Sequence, residues 1–145
     1  MKKQPCILVV DDHAMTRELV KKQFEGKQGF RVLTAEDGPS ALELAVAHVP
    51  DLVLLDWIMP GMEGPTVLAE LKRRDETAHI PVFMMTTKDE LADVEQAIFA
   101  GAAGYFPKPF DVAKLGEQVQ DYLAKDKTKR GGAYRFGSSE PSPAD

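Results

Sequence analysis

Cysteine is nearly absent from this sequence: Cys6 is the only one in 145 residues. One thiol excludes an intramolecular disulfide. Its place in an apolar run fits a reducing cytoplasm, where a buried cysteine acts as a small hydrophobe. Histidine is also scarce, and His13, His48 and His79 are scattered along the chain; they read as solvated or capping residues rather than a metal-binding set. Long hydrophobic runs are missing. Stretches such as Ile7–Val10 and Leu52–Leu55 fall far short of the roughly 20 residues that cross a bilayer. Met1-Lys2-Lys3 is basic, but the apolar run behind it ends at Asp11-Asp12 without a small-residue cleavage site, so no export signal is expected. Positive charge is in deficit as well. The net charge is −5, with 13 basic against 20 acidic residues over 1–124 and 5 against 3 over 125–145. An acidic body offers no basic face for nucleic acid, so neither nucleic acid nor membrane is an expected partner.

What is present is ordinary for one globular domain: hydrophobic residues make up 43% and charged residues 28%. Short apolar runs at Cys6–Val10, Arg31–Ala35, Leu52–Asp56, Val82–Thr86 and Gly104–Phe106 alternate with stretches of helical period. The runs mostly lack polar alternation, as strands covered on both faces do. Between them, spacings of three and four predict helices with apolar stripes. The stripes are Met15/Leu19/Val20/Phe24, Ala41/Leu42/Ala45/Val49, Val67/Leu68/Leu71, Leu91/Val94/Ile98 and Leu115/Val119/Tyr122/Leu123. Gly26 and Gly29, Pro50 and Gly101 supply stops after the first, second and fourth helices. Strand–helix repeated five times implies an α/β fold, a parallel sheet with helices on both faces. Residues 125–145 are charged, then rich in Gly, Ser and Pro, and read as a flexible or loosely docked tail with Tyr134 and Phe136 as its only anchors.

Three acids carry the chemical argument. Asp11 and Asp12 end the first strand, and Asp56 ends the third. If the sheet is doubly wound in the order 2-1-3-4-5, these strands are neighbours and the three carboxylates share one crevice. Packed anions repel unless a cation neutralises them, and oxygen ligands with room for water favour Mg²⁺. Either acid pair alone is equally well read as a helix cap. Thr86 and Lys108 end the fourth and fifth strands at the same edge, and Asp56 opens the shaped loop Asp56-Trp57-Ile58-Met59-Pro60-Gly61-Met62-Glu63-Gly64. That set suits a carboxylate nucleophile and a phosphoryl group whose oxygens meet a metal, an ammonium and a hydroxyl. A cis bond at Lys108-Pro109 would turn the lysine toward the crevice.

On Val10-Asp11-Asp12, Asp56-Trp57-Ile58-Met59-Pro60, Pro81–Thr86, Gly101-Ala102-Ala103-Gly104-Tyr105 and Lys108-Pro109-Phe110, the chain resembles the receiver domain of bacterial two-component response regulators, the CheY-like family. The resemblance covers roughly residues 5–124. It implies a flavodoxin-like five-stranded sheet in the order 2-1-3-4-5, with a receiver domain over 1–124. It implies Asp56 as phosphoacceptor, and Asp12, Asp56 and the Ile58 backbone carbonyl as Mg²⁺ ligands with Asp11 acting mainly through water. Thr86 and Tyr105 become the switch pair, and the fourth helix, fifth strand and fifth helix the readout surface. The expected donor is a histidine kinase or histidine phosphotransfer protein, and the output is contact with a downstream protein. The chain is expected to act alone in the cytoplasm, with no output domain for DNA, and to catalyse only its own phosphorylation and dephosphorylation. A phosphorylation-independent interaction module is the alternative. Haloacid-dehalogenase-type hydrolases use Asp-x-Asp, whereas Ile58 stands two after Asp56; a flavin carrier needs a phosphate loop where Asp11-Asp12-His13-Ala14 stands. Apolar Ile58 cannot orient a water, Thr87 narrows access, and Lys88 is placed to cover the phosphoryl group. Together they suggest a long-lived phosphoryl state.

Overall fold

The computed structural model describes residues 4–87, 91–125 and 134–135. The apolar runs form strands β1 (Cys6–Val10), β2 (Arg31–Ala35), β3 (Leu52–Asp56), β4 (Val82–Thr86) and β5 (Gly104–Pro107). Every residue of β1, β3 and β4 is buried, as their lack of polar alternation requires. All pairings are parallel, in the order β2-β1-β3-β4-β5. The order reverses between β1 and β3, which sets a crevice beyond their carboxyl ends.

Helices α1 (Ala14–Gln23), α2 (Gly38–His48), α3 (Gly64–Arg73), α4 (Leu91–Phe99) and α5 (Val112–Ala124) connect and cover the strands. Alternation along each strand divides the core in two. Leu8, Val10, Val53, Leu55 and Met84 face Leu42, Val67, Leu68 and Ala97 of α2, α3 and α4. Ile7, Val9, Leu52, Leu54 and Phe83 face Val20 of α1 and Leu115, Val119 and Tyr122 of α5. Asp37 caps α2 by accepting the Ser40 N–H at 2.8 Å, an interaction that holds its carboxyl below the usual range.

Two features differ from the sequence reading. Met15 and Leu19 do not share the buried face of α1; they are 74% and 52% exposed. Arg17 takes the inward place one turn before Val20, donating to the Asp11 carbonyl at 2.7 Å. Leu19 is left about 100° and Met15 about 140° around the helix from Val20. Val49 is likewise exposed, because α2 has already ended in a left-handed turn there. Gly26 does not stop α1, which continues as a π-helical turn over Phe24–Gln28 and ends at left-handed Gly29.

The segment read as a flexible or loosely docked tail contributes one short strand. Two of its residues, Tyr134–Arg135, form β6, pairing parallel with Gly104 and Tyr105 and making the sheet six-stranded. An otherwise unpaired β5 edge presents the N–H and C=O groups that accept such a strand. Phe136 and Lys88 lie outside the described residues.

The loop after β3 closes tightly. The Gly64 N–H donates to the Trp57 carbonyl at 2.9 Å, and a Cβ on Gly64 would stand 2.3 Å from the Asp56 carbonyl oxygen and 2.9 Å from Trp57 Cα. Both obstacles are backbone. Gly64→Ala is therefore expected to lower stability by about 1–3 kcal/mol, read as a lower urea midpoint at unchanged slope. An unchanged midpoint would show that this loop yields freely.

Candidate functional site

The acids reach one rim because the sheet carries them there. The Asp11 N–H still pairs with the Ala35 carbonyl of β2 at 3.1 Å, so Asp11 is fixed as a continuation of β1. Asp56 is the last residue of β3, and Trp57 continues the ladder by donating to the Met85 carbonyl at 2.9 Å. On the far side the Lys108 N–H donates to the Thr86 carbonyl at 2.7 Å. The Lys108-Pro109 bond is cis.

Lys108 joins the strands chemically. Its Nζ lies 3.0 Å from Asp11 Oδ2 and 3.1 Å from Asp56 Oδ1. Asp11 is fully buried, and its Oδ1 accepts the His13 N–H at 2.9 Å. Asp56 is also buried, and burial together with the charge of Asp11 pushes its carboxyl above the usual range; Lys108 and the Ile58 N–H pull the other way without prevailing. Burial acts to lower Lys108, but hydrogen bonds and charge from both aspartates raise it overall. The asymmetry is simple: one ammonium stands between two carboxylates, so the lysine is over-compensated and Asp56 under-compensated.

Asp12 completes the set. Its side chain is 28% exposed, yet its Oδ1 is buried and, among the described residues, has no hydrogen-bond partner. Ligand atoms of Asp11, Asp12, His13 and Asp56 all lie within 4.8 Å of one another. An orphaned carboxylate oxygen beside two further carboxylates fits a hard divalent cation, for which Asp11, Asp12 and Asp56 supply oxygen. Asp12, Asp56, Ile58, Thr86 and Lys108 line one open cleft, with Trp57 and Thr87 beside them. Ile58 is half exposed at its mouth.

Tyr105 stands apart. It is buried at 6% exposure in the α2–α3–α4 side of the core, in register with Met84, while Thr86 two pairs along faces the cleft. The residue that sequence reasoning missed is His13. It occupies the N-cap position of α1 without a side-chain capping bond, and its ring lies against the acids instead. Adjacency to Asp11-Asp12 was the available signal.

Similarity to known proteins agrees with this geometry. The family profile described as "Response regulator receiver domain" matches residues 7–120. Response regulator PleD of Caulobacter vibrioides is 40% identical over 79% of this chain and 25% of its own length. Sporulation initiation phosphotransferase F of Bacillus subtilis is 38% identical over 81% of this chain and 92% of its own. The chain thus spans about a quarter of the first relative and nearly all of the second. Among solved structures, chemotaxis protein CheY4 of Vibrio cholerae superposes with a TM-score of 0.77 at 28% identity, covering 82% of this chain and 98% of that one.

Proposed function

The chain belongs to the response regulator receiver domain family, and from that premise we propose that Asp56 accepts a phosphoryl group from a histidine kinase or histidine phosphotransfer protein. One observation carries the reading: Lys108 Nζ bridges Asp11 and Asp56 across strands far apart in sequence, beside a carboxylate oxygen of Asp12 that has no hydrogen-bond partner among the described residues. Scaffolding needs no such arrangement.

A carboxylate oxygen of Asp56 attacks the phosphorus of a phosphohistidine. A P–O bond forms, the P–N bond breaks, and its electron pair leaves with the imidazole, which takes up a proton. Mg²⁺ held by Asp12, Asp56 and the Ile58 carbonyl, with Asp11 behind them, would neutralise charge on the transferring oxygens. Lys108 meets one of those oxygens, and Thr86 donates a hydrogen bond to another. Raised carboxyl affinity for protons at Asp56 means that cation binding, by keeping the nucleophile ionised, and phosphorylation act in the same direction.

The protein's output follows from Thr86. Drawing its hydroxyl toward the new dianion opens space on the β4–β5 side, which Tyr105 fills, and the surface of α4, β5 and α5 changes for a downstream protein. The chain acts in the cytoplasm as a switch and turns over no outside substrate.

The testing experiment is intact mass after acetyl phosphate and Mg²⁺, under conditions that keep acyl phosphates, followed by capture of partners with and without beryllofluoride. Gain of one phosphoryl group and a partner selective for the activated form are expected. An unaltered mass overturns the reading, and a partner indifferent to beryllofluoride favours a phosphorylation-independent module. The adduct is also expected to be long-lived, since Ile58 offers no hydrogen bond to an attacking water. Ile58→Asn with Lys88→Ala should shorten the half-life of the label by about tenfold, within the range of general-base effects; a longer half-life in that double variant refutes the lifetime argument.

A further inference from the structure

His13 is more than a neighbour of the acids. Its Nδ1 lies 3.1 Å from Asp11 Oδ1 and 3.2 Å from Asp12 Oδ1. The first contact has hydrogen-bond geometry; the second does not, and Asp12 Oδ1 has no hydrogen bond among the described residues. Adjacent ligand atoms on an octahedral shell with bonds of about 2.1 Å lie about 3.0 Å apart. The separation from Asp12 is therefore that of neighbouring corners of one coordination shell, and a deprotonated Nδ1 gives up its bond to Asp11 Oδ1 when it takes an ion. The side chain of His13 is 69% exposed, so an ion reaches the ring from solvent without any opening of the fold.

We infer that His13 is an additional ligand of this pocket, adding an imidazole nitrogen to the carboxylate oxygens and thereby selecting first-row transition cations over Mg²⁺. This rests on the pocket being a divalent-cation site at all. Mg²⁺ is hard, prefers oxygen and keeps several waters, so the ring leaves its affinity unaltered. Imidazole suits Ni²⁺ and Zn²⁺, whose affinity for nitrogen exceeds that of Mg²⁺ by a wide margin. The selectivity comes from the residue that follows Asp11-Asp12.

Trp57 makes the experiment direct. It is buried at 7% exposure and lines the same cleft as Asp12, His13 and Asp56. His48 and His79 do not line that cleft, so ions bound there leave the cleft signal alone. The full chain is titrated with Ni²⁺ and separately with Mg²⁺, reading Trp57 fluorescence, as wild type and as His13→Ala and His13→Asn. The asparagine retains a preferred N-cap side chain and so controls for the start of α1. Both variants are expected to bind Ni²⁺ at least about tenfold more weakly, the lower end of what loss of even an outer-shell partner costs, and Mg²⁺ within about twofold of wild type. Unchanged Ni²⁺ affinity overturns the inference, and so does an equal loss for both ions, which would make His13 a prop for the carboxylates. A wild-type chain that answers to neither ion overturns the cation-site reading along with it.

Discussion

Asp56→Asn is expected to leave the chain unmodified by acetyl phosphate and Mg²⁺, with adduct formation falling by at least about 10³-fold, the scale of removing a nucleophile. The substitution preserves shape and the Lys108 contact while replacing the attacking oxygens with an amide that does not displace at phosphorus. The neighbouring carboxylates are poor substitutes. Asp11 is fully buried, and its Oδ2 is engaged by Lys108. Asp12 has an oxygen without a hydrogen-bond partner among the described residues, but in the function proposed here it holds the cation rather than the phosphoryl group. Undiminished mass gain in the variant would place the acceptor elsewhere and remove the basis of the function proposed here.

The same variant carries a second expectation, of opposite sign, for stability. Burial and Asp11 raise the affinity of Asp56 for its proton in the folded state. Folded chain therefore binds more protons than unfolded chain between the ordinary carboxylate value of 3.8 and the raised one. Stability from this group is present below that window and is lost as pH rises through it. Asp56→Asn escapes the loss. In the absence of divalent cations it should exceed wild type at neutral pH by on the order of 1 kcal/mol, and the gap should close on acidification as wild-type Asp56 takes up its proton. Added Mg²⁺ should narrow the gap from the other side, by binding the folded wild type. Urea midpoints across pH, with and without Mg²⁺, read all of these effects.

How far the site was legible follows from which physical signal marks each residue. Asp11, Asp12, Asp56, Thr86 and Lys108 were found because each ends a strand, and strand ends are visible where an unbroken apolar run stops. Parallel strands covered on both faces permit no other pattern, so β1, β3 and β4 read cleanly. Helix faces are less decisive. Period tells which residues share a face but not whether a neighbour covers it: Met15 and Leu19 have core spacing and are exposed, because Arg17 claims the inward position through the Asp11 carbonyl. The π-helical turn before Gly29 leaves the apolar spacing almost unchanged, so Gly26 looked like a stop. His13 was obscured by a rule that is correct on average. A lone histidine before a helix is usually a cap or solvated, and His13 is both at the N-cap position and 69% exposed; what the chain order does not show is its ring beside two carboxylates. β6 rests on the need of the β5 edge for a partner, which no local pattern around Tyr134 records.

Lys108→Met separates two roles that the wild-type geometry merges. The ammonium sits between Asp11 and Asp56 at 3.0 and 3.1 Å, where it competes with a metal for the same carboxylates. Removing it, at nearly constant side-chain length, leaves the acid cluster short of one positive charge. Mg²⁺ affinity should rise, by about tenfold or more, since unit charges near 4 Å apart at a protein surface interact by up to ~4 kcal/mol before screening. The apo fold should lose about 1–3 kcal/mol, the penalty of buried acceptors left without a donor. Phosphorylation at saturating Mg²⁺ should nevertheless slow by about 10²–10³-fold, the usual loss for one donor aimed at developing charge. A purely structural lysine would move binding and rate down together, because both depend on the carboxylates being held. Opposite movements, tighter Mg²⁺ by Trp57 fluorescence and slower mass gain, are therefore diagnostic of a group that meets the phosphoryl oxygens. Parallel losses would reduce Lys108 to a strut between β1, β3 and β5, and the charge stabilisation assigned to it would have to come from the cation alone.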